Sequence, residues 1–85
     1  MTKVLVRNGN HQRPLLAVMK RAGVMGTPDK HQRGVWISKA DAAAADAYIV
    51  ANAIPVPAQF GDRAFVNGTS RHNQVEAGDF AALFV

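Results

Sequence analysis

The residues of this chain whose types could do chemistry are three histidines, His11, His31 and His72, two serines, Ser38 and Ser70, and a handful of carboxylates. Metal binding needs ligands that converge. The histidines form no i, i+4 pair on a helix and have no neighbouring carboxylate pair at ligand spacing, so they read as solvated loop residues. Ser70 stands beside His72 with Asp79 further on, the ingredients of a nucleophilic triad, but no glycine-flanked elbow surrounds either serine. Asp41 and Asp46 are five residues apart, about 140° round a helix, too far for paired acid-base work. The stretch GVMGTPDK mixes Gly, Thr and Lys without the glycine spacing and Gly-Lys-Ser/Thr order that cradle a nucleotide. Asn67-Gly68-Thr69 fits the glycosylation sequon and reads as a turn. No catalytic residue, metal or cofactor is therefore expected, and the protein reads as non-enzymatic.

The charges are more informative. The formal net charge is +4. Residues 1–39 hold Lys3, Arg7, Arg13, Lys20, Arg21, Lys30, Arg33 and Lys39 against Asp29 alone, a formal +7. Residues 40–85 hold Arg63 and Arg71 against Asp41, Asp46, Asp62, Glu76 and Asp79, a formal −3. The basic half contains the tripeptide His-Gln-Arg twice, at 11–13 and 31–33, with unrelated flanks. A structural repeat would extend into those flanks, so the copies are two candidate pieces of one positive contact surface. Such a surface suits an acidic protein face, where complementary potential sets orientation, or nucleic acid, with Trp36 and the histidines available for stacking.

These residues must be positioned by a small number of elements. TKVLVRNGN alternates apolar and basic residues and ends in Asn8-Gly9, which predicts a strand over 3–7 entering a turn. RPLLAVMKRAG is open to two readings: Pro14 can start a helix that Gly23 ends, while Leu15–Met19 can equally be a strand. Residues 24–34, with Gly26, Pro28, Asp29 and Gly34 and no period, predict a surface loop. GVWIS is a strand that stops at Ser38, and Ser38 with Asp41 three residues on predicts the start of a helix over about 39–53, ended by Pro55. IPVPAQFGD reads as extended, and RAFVNGTS as a short strand into an Asn67-Gly68 turn.

Placed at 100° per residue, the helix carries Ala40, Ala43, Ala44, Ala47, Tyr48, Val50, Ala51 and Ile54 on one broad face, which is expected to be buried. Ile49 then points outward among Ala42, Ala45, Asp46 and Ala53, either as a lone exposed apolar residue or as the centre of a second contact face. The apolar end, Phe80–Val85, would be an aggregation hazard in water. It is expected to close the domain's own core or to sit in a partner's groove, and Phe80 and Phe84 are its candidate contact residues.

Eighty-five residues fit one domain of α+β class, a small antiparallel sheet packed by the alanine-rich helix. Fifteen of the residues are alanine, so the core depends on about two dozen larger apolar side chains and would gain from oligomer or partner contacts. There is no cysteine to staple it. No apolar run approaches the length of a membrane span, and the N-terminus lacks a signal pattern, so a protein made in the cytoplasm with no membrane contact is expected.

The stretch RGVWISKADAAAADAYIVANAIPVP, residues 33–57, resembles a module of small phage virion and head-gene-cluster proteins, in which a strand after glycine leads to an alanine-faced helix and an Ala-hydrophobic-Pro exit. The matching positions are Gly34, Val35, Ile37, Ala44, Ile49, Ala53, Ile54 and Pro55; Asn52 stands where the usual form has glycine. The resemblance implies a structural protein of the virion, capsid-associated as decoration or head connector, whose partner is the major capsid or another virion protein. The expected contact residues are Arg13, Lys30, His31, Arg33, Ile49, Phe80 and Phe84. The alternatives are a small basic nucleic-acid-binding accessory protein and a regulatory protein binding one acidic partner.

Overall fold

In the computed structural model, which describes residues 2–9 and 11–85, the chain runs β1 (Lys3–Arg7), α1 (Arg13–Ala22), β2 (Thr27–Pro28), β3 (Gly34–Ser38), α2 (Lys39–Asn52), β4 (Ala53–Pro55) and β5 (Ala64–Val66), with single 3-10 turns at Ala58–Phe60 and Ala81–Phe84. The two β-branched runs seen in the sequence pair with each other. β3 is the central strand of an antiparallel sheet in the order β1-β3-β2, with Val4 opposite Ile37, Val6 opposite Val35 and Arg7 opposite Gly34. Gly34 is required there: its φ is 150°, and a Cβ at this position would lie 1.9 Å from the Val6 carbonyl oxygen. β4 and β5 form a second small antiparallel sheet, extended by a bridge between Ala64 and Val75.

Residues 13–22 are a helix rather than a strand. Pro14 sits in its first turn, Gly23 ends it at φ 75°, and the Val24 N–H reaches back to the Met19 carbonyl at 3.0 Å. The helical period collects Leu15, Val18 and Met19 on one buried side. A strand would have turned alternate members of this set to opposite faces and left half of it in water. The sheet is consequently packed by two helices instead of one. Residues 24–34 are also more ordered in pattern than a loop, because Thr27 and Pro28 pair with Trp36 and Val35 and make the segment one arm of a hairpin.

α2 begins as expected, with the Asp41 N–H on Ser38 Oγ and the Ser38 N–H on the Asp41 carboxylate, both at 3.1 Å. Its rotation is the reverse of the expectation. Ala42, Ala45 and Ile49 are buried, whereas Ala40, Ala43, Ala44, Ala47, Val50, Ala51 and Ile54 are exposed, and only Tyr48 of the expected inner face packs on the core. A helix that is alanine almost all round has little preferred side by count. Volume and one charge decide it. Ile49 exceeds Val50 by one methylene, worth about 0.8 kcal/mol on burial. Burying Ile49 also turns Asp46 toward the C-terminal segment, where its carboxylate receives the Phe80 and Ala81 N–H groups at 3.1 and 3.0 Å.

The core so formed joins Val6 and Ile37 of the sheet, Leu15, Val18 and Met19 of α1, Ala42, Ala45 and Ile49 of α2, Val66 and Val75, and Phe80. Phe80 is fully buried and is the largest such side chain. The C-terminal segment therefore closes the chain's own core with Phe80, while Leu83 and Phe84 pack on the core's edge and Val85 stays exposed.

Candidate functional site

The antiparallel pairing of β1 with β3 sets Arg7 and Asn8 beside Arg33 and Gly34, and this brings the two His-Gln-Arg copies to one end of the sheet. Each copy is fastened to the same short stretch. From the first, the Gln12 side-chain oxygen accepts the Arg7 N–H at 2.6 Å. From the second, the Gln32 carbonyl accepts the Asn8 side-chain amide at 3.0 Å, and the Arg33 carbonyl accepts the Asn8 backbone N–H, also at 3.0 Å. The glutamines thus build the end, and the flanking His11, Arg13, His31 and Arg33 are left facing solvent.

Asp29 shapes the second copy. Its side chain is only 3% exposed, and it accepts the His31 and Arg33 backbone N–H groups, both at 3.2 Å, two bonds from the Arg33 guanidinium at 2.8 and 3.2 Å, and the Trp36 indole N–H at 3.0 Å. The Arg33 guanidinium, then the Trp36 indole, hold this carboxyl well below the usual carboxylate range, and the same pairing raises Arg33 above its ordinary value. Asp29 is fully committed to holding the turn, in which Gln32 takes a left-handed φ of 58°. Lys30 and His31 are held out at the tip, and Arg33 remains 47% exposed despite its pairing.

Of the expected contact residues, Arg13, Lys30, His31 and Arg33 therefore share one end of the molecule. The structure corrects two of the others. Ile49 and Phe80 are 1% and 0% exposed, each having been drawn into the core by its volume, and neither offers a surface. Phe84 is half-buried and lines an apolar hollow with Lys39, Ala42, Ala43, Ala81 and Val85. Three residues hold this end together, Asp29, Gln12 and Gln32, and none of them is marked as a site-builder by its type or spacing alone. The one available signal was the distance of Asp29 from Arg33, an i, i+4 spacing that here closes a turn rather than a helix.

The triad candidates named in the sequence do not come together among the described residues. Ser70 Oγ accepts the His72 backbone N–H at 3.2 Å, not an imidazole, and the Asp79 carboxylate is taken by Arg63 at 2.5 Å and by the Glu76 N–H at 3.0 Å. Ser38 is spent as the α2 cap. Among the described residues no group of three or more His, Asp or Glu side chains converges as a metal site would require. Thr69 folds back on the Val66 carbonyl through both its N–H and its hydroxyl, so the sequon is a turn.

A second feature lies along α2. Its outer side presents Ala40, Ala43, Ala44, Ala47, Val50 and Ala51 with Lys39 at the N-terminal edge, and Val50 is 73% exposed. Two hollows flank this side. One is the hollow at Phe84 and Val85, against the C-terminal segment; the other lies between α2 and the β4–β5 sheet, lined by Val50, Ala53, Pro55, Ala64, Val75 and Ala77 together with Ile49 and the charged Asp62, Arg63 and Glu76.

No protein-family model, curated protein or solved structure matches this chain.

Proposed function

We propose that this chain is a non-enzymatic structural protein that docks on a larger protein lattice, a phage capsid-associated protein of the decoration or head-connector kind. The observation that carries the reading is the outer face of α2, six small or apolar residues with no charge among them. A helix on the surface of a monomer ordinarily turns charged residues to water, and this one turns alanines and Val50 instead. The resemblance of residues 33–57 to the strand-helix-exit module of small virion proteins points the same way.

Area decides how far the docking face must reach. A helix of 14 residues is about 21 Å long, and its outer face covers only about 200 Å². A stable interface takes about 800 Å² from each partner. The contact must therefore extend from α2 into the flanking hollows, taking in Phe84, Val85, Ala53 and Pro55. Val50 thus takes the place of Ile49 and Phe80 as a docking residue, beside Phe84, which was expected from the sequence.

The test is sedimentation or mass photometry of the protein alone and mixed with empty heads assembled from its cognate major capsid protein. The wild-type chain is expected to bind stoichiometrically, and Val50→Asp, which places a charge on an exposed site, is expected to abolish binding with the fold intact. A folded wild-type chain with no affinity for the shell would sink the reading, as would undiminished binding by the Val50→Asp variant.

A further inference from the structure

The end of the sheet built by the two His-Gln-Arg copies calls for a partner that the apolar α2 face does not. We infer that this end is a docking site for the phosphate backbone of duplex nucleic acid. Arg7, Arg13, Lys30 and Arg33 converge there from the end of β1, the start of α1 and the β2–β3 turn, with His11 and His31 beside them. Asp29, the carboxylate of this end among the described residues, is buried and satisfied by Arg33, Trp36 and two backbone N–H groups, so its charge is offset by that of Arg33.

Three observations favour a phosphate backbone over an acidic protein or a single strand. Arg33 is paired with Asp29, and two of the three remaining cations, Arg7 and Arg13, are guanidiniums, whose planar fork matches phosphate oxygens two at a time. The positive end of the α1 dipole faces the same way, with no acidic residue in its first turn to neutralise it. Finally, among the described residues the exposed large apolar side chains are Met25, Val50, Ile54, Phe60 and Val85, and none belongs to this end. A protein interface needs a buried aromatic or aliphatic anchor, and a single strand needs aromatic platforms for its bases, whereas duplex phosphates need neither. Trp36 is half-buried in the sheet with its N–H on Asp29. The contact is to backbone and carries no sequence preference.

This inference stands apart from the lattice reading and can fail without it. The full chain is titrated into a fluorescein-labelled 20-base-pair duplex, with anisotropy read at several salt concentrations. With about three phosphates neutralised, log affinity falls against log salt with a slope of about −2.7, a loss of a few hundred-fold between about 25 and about 200 mM. Arg13→Gln with Lys30→Gln, both exposed in the wild type, reduces the slope by about 1.8 and leaves the melting temperature unchanged. Lys20→Gln with Lys39→Gln, away from this end, leaves the slope as it was. Absence of duplex binding at 25 mM salt overturns the proposal, as does an unchanged slope in the first double variant or an equal drop in the second. Polyglutamate bound as tightly as the duplex also overturns it, in favour of an acidic protein.

Discussion

The rotation of α2 decides which of its faces is core and which is surface, and substitutions at adjacent positions test it. Ile49 is 1% exposed at the centre of the core, and Val50, the next residue, is 73% exposed. Ile49→Ala removes three carbons from a buried site, and such truncations cost 2–5 kcal/mol depending on how far the site collapses. Two of its helix neighbours, Ala42 and Ala45, have no side-chain length with which to fill the space, so a cost of about 3–4 kcal/mol is expected. A domain of this size has about 4–13 kcal/mol of stability in all, so the variant loses a large part of it. In a thermal melt followed by circular dichroism that is a fall on the order of 15–25 °C. Val50→Ala, by contrast, changes the melt by no more than about 3 °C, since it removes methyl groups already in water. Should Ile49→Ala fail to fold, Ile49→Val gives the graded version at about 1 kcal/mol. Equal losses at the two positions, or a greater loss at 50, would refute this account of α2 and restore the opposite face.

Two further outcomes follow from the polar contacts. Asp29→Asn lowers the melting temperature at neutral pH, because a neutral amide cannot replace a carboxylate that serves Arg33, Trp36 and two backbone N–H groups. Its folded-state pKa is depressed, so the stabilisation is present above the ordinary aspartate value of about 3.9 and is lost as pH falls toward the folded value. The gap between wild type and Asp29→Asn is thus flat from about pH 5 to 8 and narrows below about pH 4; a gap unchanged down to about pH 2 would contradict the pairing. Asp46→Ala strips two N–H groups of their acceptor and costs about 1–3 kcal/mol, with faster amide exchange at Phe80 and Ala81 than elsewhere in the chain.

Much of the fold is legible in the sequence because it rests on local chemistry. β-branched runs give β1 and β3, the Ser38–Asp41 spacing gives the start of α2, and Asn67-Gly68 marks a turn in which Gly68 takes φ 89°. Where local signals compete, as in residues 13–22, the tertiary requirement to bury Leu15, Val18 and Met19 together selects the helix. The rotation of α2 is illegible for a different reason. Periodicity counts apolar residues, and a run of alanines satisfies that count on almost any side, whereas burial is weighted by volume. The role of Asp46 is hidden too, since its partners lie 34 and 35 residues away. Asp29 likewise reads as a turn residue until the β2–β3 hairpin brings Trp36 to it.

The charge asymmetry of the sequence takes its meaning only from what the acids do. Asp29 holds Arg33 and its turn, Asp41 caps α2, Asp46 docks the C-terminal segment, and Glu76 and Asp79 face Arg63. Every acidic residue but Asp62 is thus engaged within the chain, while among the ten Lys and Arg only Arg33 and Arg63 make ion pairs between the described residues. Most carboxylates are committed to contacts within the chain, whereas the Lys and Arg side chains are exposed. β3 then divides the labour: at Gly34 it begins beside the basic end, and at Ser38, about 13 Å further along, it hands the chain to α2 with its uncharged outer face. A charged site and an apolar site at opposite ends of one strand can be occupied together, so binding at one need not compete with binding at the other. A duplex-bound chain should therefore still dock on the lattice, and Val50→Asp should leave the salt slope for the duplex untouched.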